Sequence, residues 1–145
     1  MAAVVSTGEA FSSTDALREI WPVTAEVAVG TALMNGTRAG VAYTPSGGHL
    51  AAAKVVGPIT ISGFPDGGVG LDALEVSVAI DGSYEFPIVG ATNATPNGTS
   101  VYVTVTNGIV QTMTTTATGA VYFGVINNPQ DYDAPGAVGC VKIGV

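Results

Sequence analysis

The sequence predicts an all-β domain built from short strands, on three observations. Twenty glycines and eight prolines, in 145 residues, punctuate short runs of β-branched and aromatic side chains. Apolar spacing at the 3.6-residue helical period is nearly absent. Asn-Gly and Asp-Gly pairs stand between apolar stretches, where tight turns need residues that tolerate positive φ. The length fits one domain with a small appendage at most, so residues 1–21 read as an N-terminal arm and residues 22–145 as the β-domain.

Within the arm, Ser13 to Ile20 is the best candidate for a turn or two of helix. Ser13 or Thr14 would cap it, Asp15 would sit near its positive end, and Pro22 would stop it. A flexible arm up to Ile20 is the alternative. From Pro22 the expected strands are VTAEVAVG and RAGVAYT, joined by a turn at Asn35 to Thr37, and then KVVGPITIS after the Gly-rich SGGHLAAA. Phe64 to Asp72 (FPDGGVGLD) reads as a loop.

Two hairpins follow. In LEVSVAIDGSYEFPIV, a two-residue Asp81-Gly82 turn would place Val78 opposite Glu85. A three-residue loop from Ile80 to Gly82 places Val78 opposite Tyr84 and Val76 opposite Phe86; it keeps apolar residues together and is preferred. In SVYVTVTNGIVQTMTTT, a three-residue loop ending at Gly108 pairs Val105 with Ile109 and Val101 with Met113. A two-residue Asn107-Gly108 loop pairs Val105 with Val110 and leaves Val101 facing Thr114, and the sequence does not choose between them. Thr118-Gly119 supplies a turn before AVYFGVI, in which Val121, Phe123 and Val125 alternate as in a half-buried strand. GAVGCVKIGV closes the chain after the turn-rich NNPQDYDAPG.

Charge is scarce. Charged residues make up 10%, hydrophobic residues 47%, and the mean hydropathy is +0.45, so part of the folded surface is expected to be covered, most simply by oligomerisation. Apolar runs break before the roughly 18 residues of a spanning helix, so no membrane partner is expected. The N-terminus lacks the basic start and long apolar run of a secretory signal. The formal charge is −7, and Arg18, Arg38, Lys54 and Lys142 are scattered, so no nucleic-acid partner is expected.

A search for reactive groups predicts no enzyme, no cofactor, no metal and no catalytic residue. His49, the one histidine, lies in a Gly-rich loop and reads as a surface or structural residue. Cys140, the one cysteine, reads as a small hydrophobe in a terminal strand. Asp131 and Asp133, with Asp66, lack the Gly and closing Glu of a calcium loop. Asp72 and Glu75 form a carboxylate pair with nothing else to support glycoside hydrolysis. Neither Lys54 nor Lys142 is followed by the Ser or Thr of a phosphate-binding loop. The sequons at Asn35, Asn93 and Asn97 read as turns.

The run PNGTSVYVTVTNGIVQTMTTTATGAVYFGVINN, with the closing GAVGCVKIGV, resembles a family of tailed-phage head decoration proteins. The earlier VAVGTALMNGTRAGVAYT, GSYEFPIVG and Gly98 to Tyr102 (GTSVY) add to the likeness, which covers most of the chain from Pro22 onward. It fades over the first twenty residues and over Ala51 to Leu74. Some members carry a recombinase label, which does not suit a chain without a phosphate-binding loop or a basic surface.

The resemblance implies a compact β-barrel or β-sandwich, β-tulip-like, with a flexible or partly helical N-terminal arm. It implies a structural virion protein, made in the host cytoplasm and bound to the outer surface of the capsid. There it would contact the major capsid protein, often as a homotrimer, and stabilise the shell against the pressure of packaged DNA. By the same resemblance the arm would meet the capsid, with Val4, Val5, Phe11, Leu17 and Ile20 as contact candidates. The competing expectation is a surface- or carbohydrate-binding module of a phage tail or adhesin. Such a module would use exposed aromatics among Trp21, Tyr43, Tyr84, Tyr102, Tyr122 and Tyr132. A small β-barrel hydrolase dependent on His49 or the acidic pairs is a third.

Overall fold

A computed structural model describes residues 3–6, 8–11, 17–68, 70–117 and 119–144. The protein is all-β, as its residue pattern predicts. The strands are β1 (Gly8–Phe11), β2 (Arg18–Pro22), β3 (Ala32–Asn35), β4 (Arg38–Ala42), β5 (Lys54–Val56) and β6 (Ile59–Ile61). They continue with β7 (Glu75–Ala79), β8 (Gly82–Pro87), β9 (Ser100–Thr106), β10 (Ile109–Thr114), β11 (Val121–Ile126) and β12 (Val138–Ile143). Ten of these form one antiparallel sheet in the order β1-β8-β12-β11-β9-β10-β3-β4-β7-β2, and β5 and β6 form a separate pair. The large sheet is not closed into a barrel; β1 and β2 are its edges.

The sheet folds over its own core. Ala32, Met34, Val41 and Ala79 from β3, β4 and β7 meet Phe86, Val101, Val103, Met113, Phe123, Val141 and Ile143 from β8 to β12. Phe86 and Phe123 meet edge to face, with ring centroids 5.9 Å apart at 82°. The β3-β4-β7 layer is apolar on both faces. Its second face carries Leu33, Ala42, Val76 and Val78, and Trp21 and Val27 pack against them. Burial on both faces explains why ALM in β3 and VA in β4 are unbroken apolar runs with no polar alternation.

The two layers separate at β3 and β10, which share the single Leu33–Ile109 pairing. Val4 enters that seam. Its N–H donates to the Val110 carbonyl at 2.9 Å and its carbonyl accepts from Ala32 N–H at 2.8 Å. The N-terminal segment is thus woven into the sheet. Beyond Val4, β1 pairs with β8, and β2 pairs with β7 across the expected boundary at residue 21. The expected turn of helix is corrected where it is described, since Arg18 to Ile20 are strand. In that strand Trp21 buries its ring toward the core cluster while Arg18 and Ile20 face outward, an alternation of period two. Ser13, Thr14 and Asp15 lie outside the described residues, as does Thr118 of the expected Thr-Gly turn.

Several expected pairings are redrawn. VTAEVAVG is not a strand: Val23 to Gly30 is irregular, and only Val27 in it is deeply buried. β7 and β8 do not form a hairpin, so neither expected register exists. β7 pairs with β2 and β4, β8 with β1 and β12, and Ile80 and Asp81 carry the chain from one layer to the other. An arch and a hairpin bury the same alternate residues, and the six-pair ladder of β8 with β12 takes the edge that a hairpin would use.

At Asn107-Gly108 the turn has two residues, both at positive φ, and Val105 faces Val110. A register shift between Val110 and Thr112 then brings Met113 opposite Val103, so the two-residue register holds only on the turn side of the bulge and the three-residue register on neither side. A similar shift in β11 leaves Val121 exposed while Phe123, Gly124 and Ile126 are buried, which breaks the expected Val121-Phe123-Val125 alternation.

Candidate functional site: an apolar arm and an open edge

KVVGPITI lies at the end of a long two-stranded arm. The pairs Lys54–Ile61, Val55–Thr60 and Val56–Ile59 share one register with the Leu50–Pro65 bridge. The same register continues through Ala51 N–H to Phe64 O at 2.8 Å and Asp66 N–H to His49 O at 3.1 Å. One register therefore holds at both ends of the ribbon, from His49 and Asp66 to the Gly57-Pro58 turn, about 25 Å at the usual rise per residue. Gly57 at φ 58 followed by a proline has the φ signature of a II′ turn.

The root of the arm depends on close backbone contact. A Cβ on Gly47 would lie 2.2 Å from the Asp72 carbonyl oxygen, and one on Gly67 would lie 2.1 Å from that of Gly47. Beyond this root every residue from Ala52 to Asp66 is exposed. Val55 is 69% exposed and Ile59 62%, and Leu50, Val56, Ile61 and Phe64 are close behind. An isolated two-stranded ribbon is marginal in water, and exposed aliphatic surface of this extent is the kind that marks interaction sites.

The second feature is the edge of β2. Val23 N–H bonds the Leu74 carbonyl and Ile80 N–H the Leu17 carbonyl, which makes 17/80 and 23/74 hydrogen-bonded pairs. By antiparallel alternation, Arg18 and Ile20 point their backbone N–H and C=O away from β7. Pro22, next in that series, has no N–H to offer. Beside this edge Glu19 accepts from Arg38 Nη1 at 2.8 Å, from Arg38 Nη2, and from Trp21 Nε1 at 3.0 Å. The Arg38 hydrogen bonds, then that of Trp21, hold the Glu19 carboxyl at about 2, and Glu19 in turn raises the Arg38 guanidinium. Arg18 lies 3.5 Å from the centre of the Tyr43 ring.

The five contact candidates divide. Val4 is corrected: at 8% exposure it belongs to the core and cannot meet a partner without opening the seam. Val5 is partly exposed beside its bridge to Thr31. Leu17 and Ile20 are exposed at the β2 edge. The backbone of Phe11 belongs to β1, and its side chain lies outside what is described. The exposed arm from Leu50 to Phe64 was not among the candidates. Its signal was the aliphatics Val55, Val56, Ile59 and Ile61 around a Gly-Pro turn.

The reactive residues are dispersed. His49 Nδ1 contacts Asp66 Oδ1 at the root of the arm. Glu75 Oε1 accepts from its neighbour's backbone, Asp72 N–H, at 3.0 Å. Asp133 accepts from Asn93 at 2.9 Å. No group of three potential metal ligands occurs among the described residues. Cys140 is buried, and burial first, then the Glu85 charge, pushes its thiol up. Burial likewise pushes the Tyr132 phenol up, helped by its hydrogen bond to Glu85 at 2.7 Å. Of the aromatics available for sugar stacking, Trp21 and Tyr84 are buried, and Tyr102 and Tyr122 meet edge to face, centroids 6.3 Å apart, at the surface.

Among the described residues, fold and site show an all-β protein with a projecting apolar arm and an open edge at β2. No protein-family model, curated protein or solved structure matches the chain.

Proposed function

We propose that this is a structural, non-enzymatic decoration protein of a phage head, bound to the major capsid protein on the outer surface of the capsid. Made in the host cytoplasm, it adds contacts across neighbouring shell subunits and so opposes the pressure of packaged DNA. The sequence resemblance suggests the family. The observation that carries the attachment role is the β2 edge, where the free backbone groups of Arg18 and Ile20 lie beside the exposed Leu17 and Ile20 side chains. An extended segment of a shell subunit would add to that edge as a further strand, with backbone bonds supplying affinity and Ile20 fixing register. A homotrimer multiplies weak single attachments through effective concentration.

Cosedimentation of the purified chain with expanded capsids of its own phage tests the proposal. The expected result is saturable binding and greater resistance of the capsids to heat or chelators. Absence of binding by folded protein overturns it. Ile20→Asp should weaken binding while leaving the fold intact.

A further inference from the structure

A cleft of about 400 Å³ opens where the two layers part, lined by Leu17, Thr37, Ala39, Ile80, Tyr122 and Phe123, with Arg38, Asp81 and Gly144 beside them. Its size falls within the range of ligand-binding clefts. It sits at the Ile80 end of β7, whereas the arm is rooted at the other end: Gly47 N–H bonds the Glu75 carbonyl and Gly48 N–H that of Ala73, each at 3.0 Å. The arm is exposed along its length and does not fill its own protomer's cleft.

We infer that the arm tip, Val55 to Ile59, inserts into this cleft on a second copy of the chain, joining copies head to tail. Three features favour a second copy as the occupant. The first is charge. Lys54 is the only charged residue between Leu50 and Pro65 in a chain of formal charge −7, and it makes no ion pair among the described residues. The rest of the chain is thus a net acidic surface for a cationic arm, and Asp81 stands in the cleft with one carboxylate oxygen taken by Leu17 N–H at 3.2 Å.

The second is area. The inserted tip itself, Val55, Val56 and Ile59, exposes on the order of 300 Å² of apolar side chain, which suits a cleft of about 400 Å³ and makes each joint a small interface beside the ~800 Å² that each partner gives to a standard one. The third is placement. Donor and acceptor lie at opposite ends of β7, so each copy can give its arm to one neighbour and take one from another. Such a heterologous contact closes into a ring or runs on as a filament. The joint needs no capsid, so its test stands apart from the decoration reading, although Leu17 borders both surfaces.

The test uses the full chain in solution, with Val56→Asp/Ile59→Asp to spoil the arm and Thr37→Trp to fill the cleft. Light scattering should show concentration-dependent association of the parent chain. Each variant alone should associate at least about tenfold more weakly, as burying a charge or blocking the cleft requires. An equimolar mixture of the two should recover a dimer and stop there, since one good arm meets one good cleft. Circular dichroism confirms folding. Should either variant unfold, Val56→Cys/Thr37→Cys in the parent background should form a disulfide between copies, with buried Cys140 as a silent control. A parent chain that stays monomeric at about 100 μM, well above the micromolar range of ordinary interfaces, overturns the inference. So does association that Thr37→Trp leaves unchanged, or the lack of an intermolecular disulfide.

Discussion

The indole of Trp21 occupies the space that a side chain on Gly40 would need. A Cβ built on Gly40 would lie 2.8 Å from two atoms of that ring and 2.3 Å from Val78 Cγ1. Gly40 in β4 thereby lets the edge-strand tryptophan reach over β7 and close the second core cluster. Gly40→Ala should destabilise by roughly 1–3 kcal/mol, the usual cost of overpacking, and thermal unfolding measures it. Trp21→Phe combined with Gly40→Ala should recover part of the loss, since the smaller ring leaves room.

The Glu19–Arg38–Trp21 cluster gives a signed pH dependence. A carboxyl held at about 2 in the folded chain, against an ordinary 4.5, stabilises the fold fully above about pH 4.5. That contribution is lost as pH falls toward 2. Glu19→Gln should remove this part of the acid limb, visible as a smaller drop in melting temperature between pH 5 and 2.5. Both side chains are substantially exposed, so the effect should be modest and shrink in high salt.

Cys140 should be silent toward thiol reagents. Its side chain is buried in β12 and its thiol is pushed up, so little thiolate forms at neutral pH. A maleimide should label unfolded protein to one equivalent and leave folded protein unlabelled over the same time. Rapid labelling of the folded chain would mean that β12 opens locally.

Val4 should matter to folding. Val4→Ala should cost about 2 kcal/mol through lost burial and an opened seam, measurable by denaturant titration. Deleting residues 1–20 removes β1, Val4 and most of β2, so it should unfold or strongly destabilise the chain. A stable, cooperatively folding deletion product would show that the ten-stranded sheet does not need its two edges.

The arm should be dispensable for folding. Val56→Asp and Ile59→Asp replace side chains that touch solvent, so each should change stability by less than about 0.5 kcal/mol. A large loss in either variant would mean that the arm folds back on the body.

The all-β class was legible because it rests on local quantities. Gly57-Pro58, Asn107-Gly108 and Gly36 carry their own turn geometry, and β-branched runs between them prefer extended backbone. The partner choice of β7 and β8 was not legible. Val76, Val78, Tyr84 and Phe86 present the same alternation whether the chain closes a hairpin or arches between layers. The bulges at Gln111 and Phe123 were hidden for a related reason. Each moves the register by one residue to suit the packing of Met113 and Phe123 in a core that gathers residues from across the chain.

The contact surface followed the same division. The shortage of charge was legible from composition alone, since ten percent charged residues is a property of the sequence itself. Which apolar residues remain outside was decided by tertiary structure. Val4 and Val55 are the same residue, yet Val4 fills the seam between β3 and β10 while Val55 stands in solvent on a ribbon with no second layer. Burial depends on what the rest of the chain brings alongside a residue, and that is settled only when distant strands pair.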